Sequence, residues 1–229
     1  MIISFSGLDG AGKTTQIQML LKNYQKMGAK TGSIYNYFPD IRYHSTAELK
    51  KLYQALNSYD VIHMRYRLNS DKNYVIMKQL EKNSPPQYFL AVAAAIQGYL
   101  DHCELREYVL APLLRNNKII IFDRYYYDEL AFKYTYGCPN FLLEKIYNNA
   151  IDADIKFYIR IPTDECLKRN QFRPDSKVAL YQTKRTVNLL LERFDYVAKN
   201  KQLITLDGTL NKNEISQSII KRVPRQDIL

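Results

Sequence analysis

The stretch from Gly7 to Thr14 constrains this 229-residue chain more than any other, because it satisfies the pattern G-x-x-x-x-G-K-[ST] without deviation. Glycines let a backbone curl until successive N–H groups point inward, and such a ring of amides binds phosphate oxygens. A helix opening directly behind the loop adds the partial positive charge of its N-terminus. In that arrangement Lys13 reaches the β- and γ-phosphates of a nucleoside triphosphate, and the Thr14 hydroxyl ligates Mg2+. The chemistry requires a strand before the loop and a helix after it. The apolar run Ile2 to Phe5 suits a buried strand, and Lys13 to Met27 carries Ile17, Leu20, Leu21 and Tyr24 at helical spacing.

The rest of the chain alternates strand-like and helix-like segments, the pattern of a doubly wound parallel α/β sheet. Further strands are expected at Ser33 to Phe38, Lys118 to Phe122, Ile155 to Ile161 and Gln202 to Leu206. A long helix should bury Val187, Leu190, Leu191, Phe194 and Val197, and a last one should begin near Asn211 with Glu214 completing a capping box. Residues 45 to 85 show weak helical periodicity. Beyond the break at Pro85 and Pro86, Tyr88 to Leu114 reads as a long helix rich in small residues, kinked or ended by Pro112. One domain spanning 1–229 is expected, with a helical acceptor-binding region over about 39–117 and a lid over about 163–180.

Composition narrows the partners. A net charge of +10 suits an anionic partner, and phosphorylated small molecules and nucleic acid both qualify. The lysines are scattered, and the basic stretch from Lys221 to Arg225 is short, so nucleic acid is not the expected partner. Cys103, Cys138 and Cys166 are far apart and odd in number, which points to a reduced, cytoplasmic protein. No apolar run approaches the length of a membrane span, and the residues from Met1 to Ser6 read as the first strand rather than as a leader, so a protein without a cleaved signal is expected. His44, His63 and His102 form no metal or acid–base constellation.

A phosphate loop alone equally suits a GTPase or a motor domain. Two other elements narrow the choice. Asp123 and Arg124 directly follow the strand-like run 118–122. A carboxylate at that strand end can hold Mg2+ or its waters, and an arginine in the same crevice can grip a phosphate with two parallel hydrogen bonds. Arg160, Lys168, Arg169 and Arg173 cluster around a break at Pro174. Phosphoryl transfer spreads charge over equatorial oxygens that arginines stabilise, and Arg169 and Arg173 are the better candidates.

With these motifs assembled, the chain resembles the thymidylate kinases. Gly7 to Thr15, Phe38 and Pro39 with Arg42, Asp123-Arg124-Tyr125, Leu167 to Arg169 and Leu206 to Gly208 stand in that family's order. The resemblance implies a parallel five-stranded sheet flanked by helices on both faces, and transfer of the γ-phosphoryl group of ATP to a nucleoside monophosphate. ATP would be held by Gly7, Leu8, Asp9, Gly10, Ala11, Gly12, Lys13, Thr14 and Thr15, and Mg2+ by Thr14 and Asp123. Asp9, Lys13, Arg124, Arg169 and Arg173 would serve the transfer itself. Phe38, Pro39, Arg42, Gln97, Asp101, Arg124, Tyr125 and Asp128 would contact the acceptor, a nucleotide or another phosphorylated small molecule. A homodimer formed through helices is implied as well.

The chain departs from the family on the acceptor side. Asp128 stands where the family usually has a serine, Phe132-Lys133 replaces Tyr-Gln, and Asp101-His102 occupies the place of an arginine that reads thymine, with Gln97 nearby. Two rival readings stay open at this level. A deoxynucleoside kinase would need a general base for its hydroxyl acceptor and typically shows Glu-Arg-Ser where this chain has Asp-Arg-Tyr. A catalytically idle nucleotide-binding protein would not require Lys13, Thr14 and Asp123 together.

Overall fold

A computed structural model describes residues 1–34, 42–43, 46–65, 69–70, 88–171 and 183–224. Its centre is a parallel sheet in which β1 (Ile2–Ser6) lies between β6 (Ile119–Asp123) and β7 (Ile155–Arg160). Every residue of β1 and β6 is buried, as expected for strands covered on both faces. The full order is β2-β4-β6-β1-β7-β8, with β2 at Thr31–Ser33, β4 at Val61–Arg65 and β8 at Ile204–Asp207. Two further short strands, β3 (Arg42–Tyr43) and β5 (Asn69–Ser70), pair apart from it.

The sheet thus has six described strands where the resemblance implied five. The added one is β4, inserted between β2 and β6 and running in register from Val61 beside Ile119 to Arg65 beside Asp123. The sequence pattern concealed it. An inner strand buries both faces and loses the alternation that betrays a strand, and His63 interrupts its apolar run. His63 sits beside Ser33 of β2, its Nδ1 at 3.4 Å from the hydroxyl. Of the strand expected at Ser33 to Phe38, only Ser33 falls in β2, and residues 35–38 lie outside the described residues.

Helix α1 (Lys13–Lys26) buries Ile17, Leu20 and Tyr24 and packs beside α9 (Lys212–Ile220). The last helix starts as its capping box dictates. Asn211 Oδ1 accepts from the Asn213 amide at 2.9 Å, and Glu214 accepts from the Asn211 amide at 3.1 Å. A second group joins α3 (Tyr88–Leu105), α5 (Tyr126–Thr135), α6 (Asn140–Ile146), α7 (Thr163–Gln171) and α8 (Lys184–Asn200), while α2 (Thr46–Leu56) packs on the turn that follows α3. All five residues expected to form the buried face of α8 do so.

The long helix after residue 88 is continuous but not uniform. Arg106–Leu110 forms a π-helical turn, after which α4 (Ala111–Arg115) carries Pro112 in its first turn. Proline has no N–H to give to the carbonyl four residues back, so the chain widens there before resuming. β1 leads to β2 at one edge and β7 leads to β8 at the other. The loops after β1 and β7 therefore diverge and open a crevice at the carboxyl ends of the strands.

Candidate active site

The loop from Gly7 to Gly12 fills the mouth of this crevice. Gly7 has φ +139°, and a Cβ there would lie 2.4 Å from the Ile159 carbonyl oxygen of β7, so only glycine lets β1 turn against its neighbour. Gly12, at φ +94°, is the left-handed residue from which α1 departs. Lys13 is 5 % exposed, and its Nζ donates to the carbonyls of Gly7 at 2.9 Å and Leu8 at 2.8 Å. Burial, and then the neighbouring Arg124 charge, bring its pKa down to about 8, against the opposite pull of Asp9, Asp123 and Asp128.

The end of β6 meets the loop. Thr14 Oγ1 donates to Asp123 Oδ2 at 2.8 Å, so the first helical hydroxyl and the strand-end carboxylate form one oxygen pair. The amide of Arg124 still bonds the Phe5 carbonyl at 2.9 Å and extends the ladder by one residue. Its φ of +70° then turns the chain sharply, a conformation that costs an arginine about 1 kcal/mol and is held by its surroundings. The buried guanidinium spans the crevice wall. Nη1 donates to Asp128 Oδ1 at 2.8 Å and to the Gly7 carbonyl at 3.3 Å, Nη2 pairs with Asp9, and Phe132 lies beneath with its ring centre 5.2 Å away.

On the opposite side α7 holds the loop by its backbone. Arg169 donates from Nη1 to the Gly10 carbonyl at 3.0 Å and from Nη2 to the Gly208 carbonyl at 3.3 Å, while Nε pairs with Glu165 at 2.6 Å. Asn170 Nδ2 and Cys166 Sγ both donate to the Asp9 carbonyl, at 3.2 and 3.3 Å. One face of α7 thus grips two consecutive loop residues.

Known proteins place this arrangement. The family model described as "Thymidylate kinase" matches residues 46–219, about three-quarters of the chain. The chain belongs to the thymidylate kinase family. A thymidylate kinase of Fervidobacterium nodosum is 25% identical over 96% of this chain and 97% of its own length. One from Chlorobaculum tepidum is 23% identical, covering 97% of this chain and 96% of itself. A probable thymidylate kinase of Sulfurisphaera tokodaii is 21% identical over 96% and 93%. The protein is a thymidylate kinase-like nucleotide kinase, an ATP-dependent phosphotransferase acting on a nucleotide.

Seen as a member of that family, the chain gathers some expected residues and disperses others. Asp9, Lys13, Thr14, Asp123, Arg124 and Arg169 converge on the loop. Arg160 does not join them. Its guanidinium grips Asp195 of α8 through contacts of 2.9 to 3.2 Å, an exposed ion pair at the last residue of β7. Tyr125 is fully buried, with its hydroxyl donating to the Ile151 carbonyl at 3.0 Å, so it anchors core rather than crevice. Asp128 is 1 % exposed, and Gln97 donates to Asp101 at 2.9 Å within α3. Burial and the nearby Arg106 charge bring His102 down to about 4, so its ring is neutral at pH 7 where it meets Tyr125 edge-on. Phe38, Pro39 and Arg173 lie outside the described residues, and Arg42 is described by its backbone in β3.

Three contributors escaped the sequence reading. Ser6 donates to Asp128 Oδ2 at 2.6 Å, and Cys166 and Asn170 hold the Asp9 carbonyl. The helical spacing of Cys166, Arg169 and Asn170, which puts all three on one face, was the one signal available. Among the described residues no helix is long and apolar enough to cross a membrane, and all three cysteines are free.

Proposed function

We propose that this kinase transfers the γ-phosphoryl group of ATP to thymidylate or a closely related nucleoside monophosphate. The observation that carries the reading is the Arg124 guanidinium, which is held between the phosphate loop and α5 and lies beside Lys13 and the Thr14–Asp123 pair. An anion-binding arginine at that point suits an acceptor that brings a phosphate of its own. Such an acceptor attacks through an oxygen already ionised at pH 7, so no general base is needed. In this reading the loop amides from Gly7 to Thr15 and Lys13 hold the donor phosphates. Arg124, with Arg42, holds the acceptor phosphate, and Arg169 and Arg173 close over the donor. Catalysis then comes from positioning and charge neutralisation.

Mg2+ suits the Thr14 hydroxyl and Asp123 carboxylate, a pair of hard oxygen donors. No cluster of three acidic, histidine or cysteine residues that could hold a metal occurs among the described residues, in keeping with an ion carried mainly by the nucleotide. When bound, it would neutralise charge building on the β- and γ-phosphates. Helix α3 presents an exposed apolar stripe of Phe89, Ile96 and Leu100, with Phe89 83 % exposed. That stripe supports a homodimer formed through α3, which light scattering on the purified protein would test by mass.

The deciding experiment is ATP consumption across a panel of nucleosides, nucleoside monophosphates and no acceptor. Turnover with thymidylate above the other monophosphates is expected. Turnover with nucleosides only, or with no acceptor at all, would overturn the assignment.

A further inference from the structure

We propose that Asp128 is a positioning residue for phosphoryl transfer, acting through Arg124 by fixing one edge of that guanidinium so that the other edge meets the incoming phosphate. The proposal rests on the kinase reading above for its kinetic arm, and it has a structural arm that does not. Asp128 is 1 % exposed and three donors fill it: Arg124 Nη1 at 2.8 Å, Ser6 Oγ at 2.6 Å and the Tyr125 amide at 3.2 Å. A carboxylate so enclosed does not meet an acceptor itself. Its reach is confined to the groups that orient the arginine.

The grip is double. Asp128 Oδ1 takes the guanidinium, while Oδ2 takes the backbone amide that immediately follows the left-handed Arg124. Side chain and strained turn are thereby fixed by one carboxylate, itself oriented by the last residue of β1. The Nη1 edge is fully committed, to Asp128 and to the Gly7 carbonyl. The Nη2 edge pairs instead with Asp9, a loop carboxylate that is 33 % exposed and so lies toward solvent. In this proposal an incoming phosphate takes over that edge from Asp9, its more exposed partner, while Asp128 holds the other. Charge is needed as well as shape, because Arg124 and Lys13 are two buried cations in one small site, and the carbonyls they bond carry no net charge to offset their repulsion as the nearby carboxylates do. An arginine aligned beforehand requires no reorganisation when charge spreads over the transferred group.

The test is Asp128→Asn, which keeps the shape and removes the charge. An asparagine cannot accept from all three donors, since its amide nitrogen must face at least one of them. With the monophosphate that the unaltered enzyme uses best, kcat should fall about 10²-fold while KM for MgATP stays within about twofold. In an Arg124→Ala background the same substitution should leave kcat unchanged. Crystals of the Asp128→Asn protein should have the Arg124 guanidinium displaced from residue 128. Unchanged kcat in the single variant, or an equal further loss in the Arg124→Ala background, would overturn the proposal. If the unaltered enzyme phosphorylates no monophosphate, the kinase assignment falls, and the crystal structure still decides: an unmoved Arg124 sinks the positioning role. Asp128→Ser, smaller and neutral, carries the same expectations should the asparagine variant not fold.

Discussion

The phosphate loop and the Arg124 turn both prepare a binding place for an anion, and they do so by opposite means. The loop relies on main-chain geometry. Its glycines allow conformations no side chain tolerates, and α7 secures it by bonding to the Gly10 and Asp9 carbonyls. The turn relies on side-chain charge. A buried arginine is balanced by Asp9 from the loop and Asp128 from α5, with Ser6 of β1 completing the set. Main-chain sites are tolerant of neighbouring substitutions but intolerant of any added bulk. Charge networks are tolerant of small shape changes but costly to leave half-made.

Four substitutions or measurements test that contrast. The largest effect is expected at the one side chain the loop depends on. Lys13→Ala should lower kcat by about 10³-fold or more with far-UV circular dichroism unchanged, because the lysine stabilises developing charge rather than the fold. Activity within tenfold of the unaltered enzyme, by about one decade, would break the assignment of the loop.

Gly7→Ala comes next. The new methyl would sit 2.4 Å from the Ile159 carbonyl in a backbone conformation that disfavours it, so about 3 kcal/mol of stability should be lost, read by urea denaturation. Ser6→Ala should cost less, about 2 kcal/mol, by removing a hydrogen bond to a buried carboxylate. Its pH dependence sharpens the comparison. Burial raises the Asp128 pKa, although Arg124, Lys13, Ser6 and the Tyr125 amide pull it back. The folded state therefore takes up a proton more readily than the unfolded chain, and the carboxylate is a net burden once pH rises through the folded value. Ser6 relieves that burden only while Asp128 is ionised, so the Ser6→Ala penalty should shrink as pH is lowered from 7. A pH-independent penalty would mean that Ser6 packs rather than bonds.

The smallest effect is chemical. Burial pushes the Cys166 and Cys138 thiols up to about 11, so alkylation at pH 8 should reach the half-exposed Cys103 first. Peptide mass spectrometry would rank the three, and early labelling of Cys166 would mean that α7 does not hold the loop as tightly as its bonds imply.

Much of this was legible beforehand where the physics is local. The fully buried apolar run from Ile119 to Phe122, the apolar face of α8 and the cap at Asn211 are written in neighbours within a few residues, and each stands where periodicity and capping rules set it. Strand β4 was not legible, because a strand buried on both faces has no alternation and shows itself only by a continuous apolar run, which β6 has and His63 breaks in β4. Arg160 is the complementary case. Its sequence neighbourhood matched that of Arg169, yet β7 carries it to Asp195 while α7 carries Arg169 to the loop.

From its amino acids alone, this chain determined that a phosphate loop would sit between a strand and a helix, because eight consecutive residues carry every group that loop requires. Only the tertiary structure decided which charges would meet around Arg124. Ser6 and Asp9 come from one stretch of chain and Arg124 and Asp128 from another more than a hundred residues away, and their union depends on β1 and β6 lying side by side in one register. A backbone motif is written contiguously, whereas a buried ion network exists only once the sheet has closed around it.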